Sequence, residues 1–214
     1  AIDSNDNDYL VVVTYEGGVH KFDISNPMSI TLLGTTAIAD TPRDVVLNLG
    51  LDHAYVAAYT EGCQIYDVSG NTPALAGTYD MDRVRSMDFI GDYLYVGSEL
   101  GDMDIVDITD PTAPSYVATF EAPGAINGVC TDPTNDQAHL ACWDMGFVAV
   151  DVSDPANPAM FAMTDTYGLS KACEVNNETV YGCDSYGLFV FDPLSVKVVN
   201  PGFAPDEFAL MQNY

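Results

Sequence analysis

Basic residues are scarce in this chain. Six Lys and Arg stand against 32 Asp and Glu, for a formal net charge of −26. Such a surface repels nucleic acid and anionic membrane, since both recruit Lys and Arg. It keeps the chain dissolved, as in a salty or extracellular setting, and attracts cations or basic partners. Long apolar runs are also missing, so no helix of the chain is long and apolar enough to cross a bilayer. No segment sustains a helical period, which argues against a helical bundle. There is no C-x-x-C, and His20, His53 and His139 fall in different strands or turns, which argues against zinc. Neither a serine nucleophile elbow nor a Cys/His pair occurs in sequence context. The chain opens on Ala1-Ile2-Asp3 without Met or signal peptide, the expected look of a processed or trimmed product.

What is present is a repeat. A short strand ending in Asp and a turn recurs as Val19–Ser25, Gln64–Ser69, Gly101–Pro111, Val148–Pro155 and Leu188–Pro193. Its Asp falls at 23, 67, 107, 151 and 192, so the steps are 44, 40, 44 and 41 residues. A period near 40 with short alternating strands and turn signals predicts β-propeller blades. The expected fold is all-β, a five-bladed propeller of four-stranded blades, with 48% hydrophobic residues to fill one domain. Residues 1–8 read as an acidic tail and 9–214 as the propeller. Blade 1 takes 9–40 plus 205–212, blade 2 takes 41–80, blade 3 takes 81–121, blade 4 takes 122–165 and blade 5 takes 166–204. Ala204–Met211 resembles Thr41–Leu47, so the C-terminus is expected to supply the missing inner strand of blade 1 and close the ring, leaving no free edge.

The repeated Asp is expected to hold its own turn by accepting local N–H bonds, and not to join a catalytic cluster. Met103–Pro111 with Pro114, Phe147–Pro155 with Pro158, and the preceding Leu94-Tyr95-Val96 resemble the LVIVD-repeat propellers. Copies one, two and five depart from the pattern; Gly70-Asn71 and Leu194-Ser195 replace Asp-Pro. The resemblance implies a propeller and export, to the cell surface, the extracellular space or the periplasm. It implies no defined reaction.

Cys130 with Cys142 and Cys173 with Cys183 flank the inner hairpins of blades 4 and 5, which suggests two cross-strand disulfides with Cys63 left over. The alternative is five buried thiols acting as small hydrophobes. Asn177-Glu178-Thr179 is a glycosylation acceptor at a hairpin turn. Asp3, Asn5 and Asn7 alternate as in a calcium loop, but Asp8 and Thr14 stand where that loop needs Gly and Glu. Calcium is the one cofactor considered; none is otherwise expected.

A binding site is expected on one face, around the channel mouth. The turns entering the inner strands carry Arg43, Arg83, Arg85, Asn127 and Lys171; the turns after the second strands carry Tyr15, Tyr59, Glu99, Trp143 and Asp184. Arg and Lys suit carboxylate or phosphate, and aromatic faces suit sugars or cations. The competing expectation is that Arg43, Arg83 and Lys171 pair with Asp44, Asp82 and Glu174 while the aromatics fill wedges between blades. The functional expectation is a non-enzymatic extracellular or cell-surface module for assembly or protein recognition. One alternative is a binder of an acidic glycan or small anion at the mouth. The other is a hydrolase or lyase using carboxylates such as Glu99 and Asp184. The expected partners are protein, a further copy included, or glycan; nucleic acid and direct membrane insertion are not expected.

Overall fold

A computed structural model describes residues 1–4, 9–16, 18–48, 50 and 52–191. Those residues form nineteen strands and no helix. Blade 1 holds β1 (Ile2–Ser4), β2 (Tyr9–Thr14), β3 (Gly18–Asp23) and β4 (Thr31–Thr36). Blade 2 holds β5 (Asp44–Asn48), β6 (His53–Ala57), β7 (Cys63–Asp67) and β8 (Ala74–Tyr79). Blade 3 holds β9 (Val84–Ile90), β10 (Tyr93–Ser98), β11 (Asp102–Asp107) and β12 (Ser115–Glu121). Blade 4 holds β13 (Gly128–Asp132), β14 (Gln137–Ala141), β15 (Phe147–Asp151) and β16 (Ala159–Thr164), and blade 5 holds β17 (Ala172–Asn176), β18 (Thr179–Cys183) and β19 (Leu188–Phe191). Each blade is an antiparallel meander, and the inner strands β1, β5, β9, β13 and β17 stand side by side in that order. These are the blades of a β-propeller.

The apolar cores lie between blades, because each sheet buries both faces against its neighbours. Val11, Val13 and Val19 meet Val45, Leu47 and Tyr66 between blades 1 and 2. Tyr55 and Ile65 meet Met87 and Leu94 between blades 2 and 3. Met103 and Ile105 meet Leu140 and Val150 between blades 3 and 4. The fourth cluster, between blades 4 and 5, is the smallest described: Cys130, Ala141, Phe147, Val180 and Phe191.

The repeated Asp does what its sequence context implies. Asp23 Oδ1 accepts from the Ser25 N–H at 2.9 Å and its hydroxyl at 2.6 Å, and Asp67, Asp107 and Asp151 cap the same turn through Ser69, Thr109 and Ser153. These bonds hold the carboxyls below the usual carboxylate range. The turn leans on the preceding blade. A Cβ at Gly77 would sit 2.3 Å from the Pro111 carbonyl oxygen, and one at Gly34 would sit 2.7 Å from the Thr72 Cα, so only glycine admits so close an approach. Next to this contact every complete blade carries the same β-bulge, which inserts Leu33, Ala76, Val117 or Phe161 into the outer strand.

Two expectations about the ends change. Residues 2–4 are not tail: Ile2, Asp3 and Ser4 pair with Val12, Val11 and Leu10, and the Ala1 carbonyl accepts from the Val13 N–H at 3.0 Å. The acidic Asp3 is drawn against blade 2 because its Oδ2 accepts from the Leu47 N–H at 2.7 Å. The inner position of blade 1 is therefore held by β1. The C-terminal stretch expected there, 205–212, and the expected outer strand of blade 5, 195–199, lie outside the described residues.

Candidate functional site

Residues of the inner strands line a cavity of about 440 Å³. The hairpin registers place Asp3, Val46, Asp88, Cys130 and Glu174 at one equivalent position, opposite Val11, Tyr55, Tyr95, His139 and Tyr181. Asp44, Ser86, Gly128 and Ala172 form the layer next to it, opposite Ala57, Gly97, Ala141 and Cys183. Inner strands of neighbouring blades do not pair as a sheet, so some of their N–H groups need other acceptors. The carboxylates supply them. Asp3 takes the Leu47 N–H, Asp44 takes the Met87 N–H at 3.3 Å and the Ser86 hydroxyl at 2.8 Å, and Asp88 takes the Thr131 N–H and hydroxyl at 2.8 Å each. The Ser86 hydroxyl oxygen accepts in turn from the Val129 N–H at 3.1 Å. Asp3, Asp44 and Asp88 are staples between consecutive blades.

Crowding of acids in this wall is felt electrostatically. Burial pushes the Asp88 carboxyl up to about 6, against the lowering effect of its hydrogen bonds, and the Glu174 charge adds to the rise. Asp44 is raised chiefly by burial, and Glu174 by burial and then by the Asp3 and Asp44 charges. Among the described residues no group of three or more His, Cys, Asp or Glu is arranged to hold a metal ion.

Above the acids lies the mouth. Arg43, Arg85 and Asn127 line the same cavity as the staples. Their side chains are tied into a chain of contacts around the rim. The Arg43 guanidinium lies over the Tyr59 ring at 4.7 Å, and the Tyr59 hydroxyl donates to Glu99 at 2.7 Å. Glu99 pairs with Arg85 at 3.8 Å, and Arg85 donates to the Asn127 side-chain oxygen at 2.8 Å. The Lys171 ammonium lies 3.6 Å over the Trp143 ring. Tyr59 and Trp143 occupy the left-handed region at φ 49° and 48°, which lets their carbonyls accept from Val84 and Ser170 of the next blade.

So the expected mouth residues are partly gathered. Tyr59, Glu99, Arg43, Arg85 and Asn127 form one network, and Trp143 with Lys171 a second. The expected pairing of cations with Asp44, Asp82 and Glu174 is replaced by aromatic faces, because Arg43 and Lys171 lie beside those rings while Asp44 serves the next blade. Arg83 and Tyr15 are exposed, and neither lines the cavity. Asp184 Oδ1 accepts from the Tyr186 and Gly187 N–H groups within its own turn, and it shares no hydrogen-bond partner with Glu99. Asp3 is a staple; Asn5 and Asn7 lie outside the described residues.

The hairpin disulfides are corrected. All five cysteines are free. Cys130 faces His139, and Cys142 lies beyond the end of β14. Cys173 faces Gly182 while Cys183 faces Ala172, so Cys173 and Cys183 point to opposite faces of their hairpin. The staple role of Asp88 was the residue-level signal that went unread: aligning the hairpins by register puts it in line with Asp3.

The LVIVD repeat profile matches residues 83–121 and 136–166, which hold all of blade 3 and the last three strands of blade 4. The chain thus carries LVIVD repeats in blades 3 and 4. The two matched segments contain Asp107 and Asp151, the turn-capping residues of these LVIVD repeats. Sqt1 of Saccharomyces cerevisiae is similar in structure, with a TM-score of 0.75 at 7% identity over 92% of this chain and 60% of that one. The computationally designed Ika8 protein is similar with a TM-score of 0.74 at 13% identity, over 93% of this chain and 59% of that one. At these identities the likeness is one of fold, and the chain spans about 60% of the length of either structure. No curated protein matches the chain.

Proposed function

We propose that this LVIVD-repeat protein is a non-catalytic, extracellular or cell-surface assembly module that joins further protein copies or partners through the rims of its blades. The observation that carries this reading is a repeated apolar rim. Leu32, Leu75, Tyr116 and Met160 occupy the same register position beside the bulge of four blades, and each is exposed, at 52%, 56%, 60% and 51%. Single exposed apolar residues are ordinary; an exposed apolar residue at the same position of four blades, on the terminal strand of each sheet, is a repeated contact element. The net charge of −26 opposes packing of copies, so cations such as calcium strengthen it by screening and bridging.

Light scattering over a concentration series, with calcium and then with EDTA, tests this. The expected result is particles above the 23.0 kDa of one chain that shrink in EDTA. A variant with Leu32→Lys, Leu75→Lys and Tyr116→Lys is expected to remain a monomer. A wild type that is monomeric throughout contradicts self-assembly through the rim.

A second reading has its own support. Arg43, Arg85 and Asn127 line one cavity, and an acidic glycan or small anion fits those donors. Arg43→Ala with Arg85→Ala is expected to abolish retention on an acidic-glycan column if that reading holds. An unchanged retention contradicts it.

A further inference from the structure

The staples between inner strands change character at one junction. Between blades 1 and 2, 2 and 3, and 3 and 4, Asp3, Asp44 and Asp88 accept N–H groups of the following blade. In blade 4 the two equivalent positions are Gly128 and Cys130, and neither offers a carboxylate. Gly128 instead lets the next blade come in: a Cβ there would lie 2.9 Å from the Ala172 Cα and 3.3 Å from the Cys173 nitrogen. Cys173 packs on the small core that contains Cys130 and donates its thiol hydrogen to the His139 carbonyl at 3.2 Å. His139 is the register partner of Cys130, so that bond sets the Cys173 thiol beside Cys130 across the junction.

We propose that Cys130 and Cys173 form an inter-blade disulfide that takes the place of the missing carboxylate staple between blades 4 and 5. The bond joins Cys130 Sγ to Cys173 Sγ. The two thiols give up two protons and two electrons to a low-molecular-weight disulfide such as glutathione disulfide, which leaves as two thiols. Attack by one thiolate on that oxidant gives a mixed disulfide, and the other thiolate displaces the small thiol. Burial pushes the Cys130 thiol up and makes it inert in the folded ring, so oxidation belongs to folding, before the junction closes. A disulfide here also fits a protein that works outside the reducing cytosol.

The Lys and Arg positions make the test direct. Trypsin cuts after Arg85 and Lys171, giving a fragment 86–171 with Cys130 and Cys142, and a fragment 172–197 with Cys173 and Cys183. Hairpin disulfides stay inside a fragment, whereas the inter-blade bond ties the two together. Reduced protein is refolded in glutathione and glutathione disulfide, where burial does not limit access, then alkylated and digested without reductant. The expected result is one linked species, released by Cys130→Ala or Cys173→Ala and retained in Cys142→Ala and Cys183→Ala. The urea midpoint of the oxidised form is expected to exceed that of the reduced form, and Cys173→Ala abolishes the shift. Separate fragments, whether alkylated throughout or closed internally, overturn the proposal, as does a link that Cys142→Ala or Cys183→Ala releases.

Discussion

The channel wall and the blade rim invert the usual distribution of polarity. The wall is lined with acids, yet Asp3, Asp44 and Asp88 each accept a backbone N–H of the next blade. The rim is a surface, yet at its repeated bulge it presents Leu32, Leu75, Tyr116 and Met160. Three wall acids are engaged in joining consecutive blades, and the mouth cations Arg43, Arg85 and Lys171 are engaged by Tyr59, Glu99 and Trp143. Apolar groups at the rim are left over after folding. The difference teaches that a conspicuous charge cluster need not be a ligand site, and that a repeated exposed side chain outside the core is the better pointer to partners.

That contrast can be broken from the wall side first. Asp44→Ala leaves the Ser86 hydroxyl and the Met87 N–H without their acceptor and is expected to cost about 2 kcal/mol in urea unfolding, since stranded polar groups cost about 1–3 kcal/mol. A neutral result would mean that the acids are free for ligands after all. The pH profile of Asp88→Asn sharpens the same point. The folded Asp88 value of about 6 lies above the unfolded value near ~4, so the native state binds more protons between them and stability falls as pH rises through that window. His139 works in the opposite sense: burial lowers it to about 4, and its contribution is lost as pH falls from ~6.5 toward that value. The stability difference between Asp88→Asn and wild type therefore isolates the acid. It is expected to move in favour of the variant from pH ~4 to ~7, and a constant difference would show that Asp88 has the same pKa in the folded and unfolded states.

Smaller effects are expected at the mouth and the rim. Arg85→Ala removes a surface ion pair and one charge-assisted bond to Asn127, with an expected loss of about 0.5–1 kcal/mol. A larger loss would make the mouth a structural keystone. Leu75→Lys or Tyr116→Lys is expected to change unfolding by less than about 0.5 kcal/mol, because these side chains are exposed. Substantial destabilisation would mean that the rim belongs to the fold and not to a partner.

Much of the fold was legible because its signal is local and repeated. Asp23, Asp67, Asp107 and Asp151 mark four of the five blades through a bond to a residue two positions on, and Asp192 lies outside the described residues. The mouth positions of Arg43 and Asn127 followed from their place just before β5 and β13, and that of Arg85 from its place at the start of β9. What escaped were lateral relations between blades. Cys130 and Cys173 are 43 residues apart in the sequence, and hairpin logic looks only along one blade. β1 is three residues long, too short for a pattern, and its acidic neighbourhood resembles a tail. The exposure of Leu32, Leu75 and Tyr116 depends on the bulge, which shifts the outer strand by one residue and is invisible to simple alternation.

The measurement that tests the central claim most directly is the solution mass of wild type beside the variant with Leu32→Lys, Leu75→Lys and Tyr116→Lys, in calcium and at matched concentration. The account predicts multiples of 23.0 kDa for wild type and a single chain for the variant, with both folded. Two identical masses, whether both monomeric or both assembled, would contradict the rim as the assembly surface.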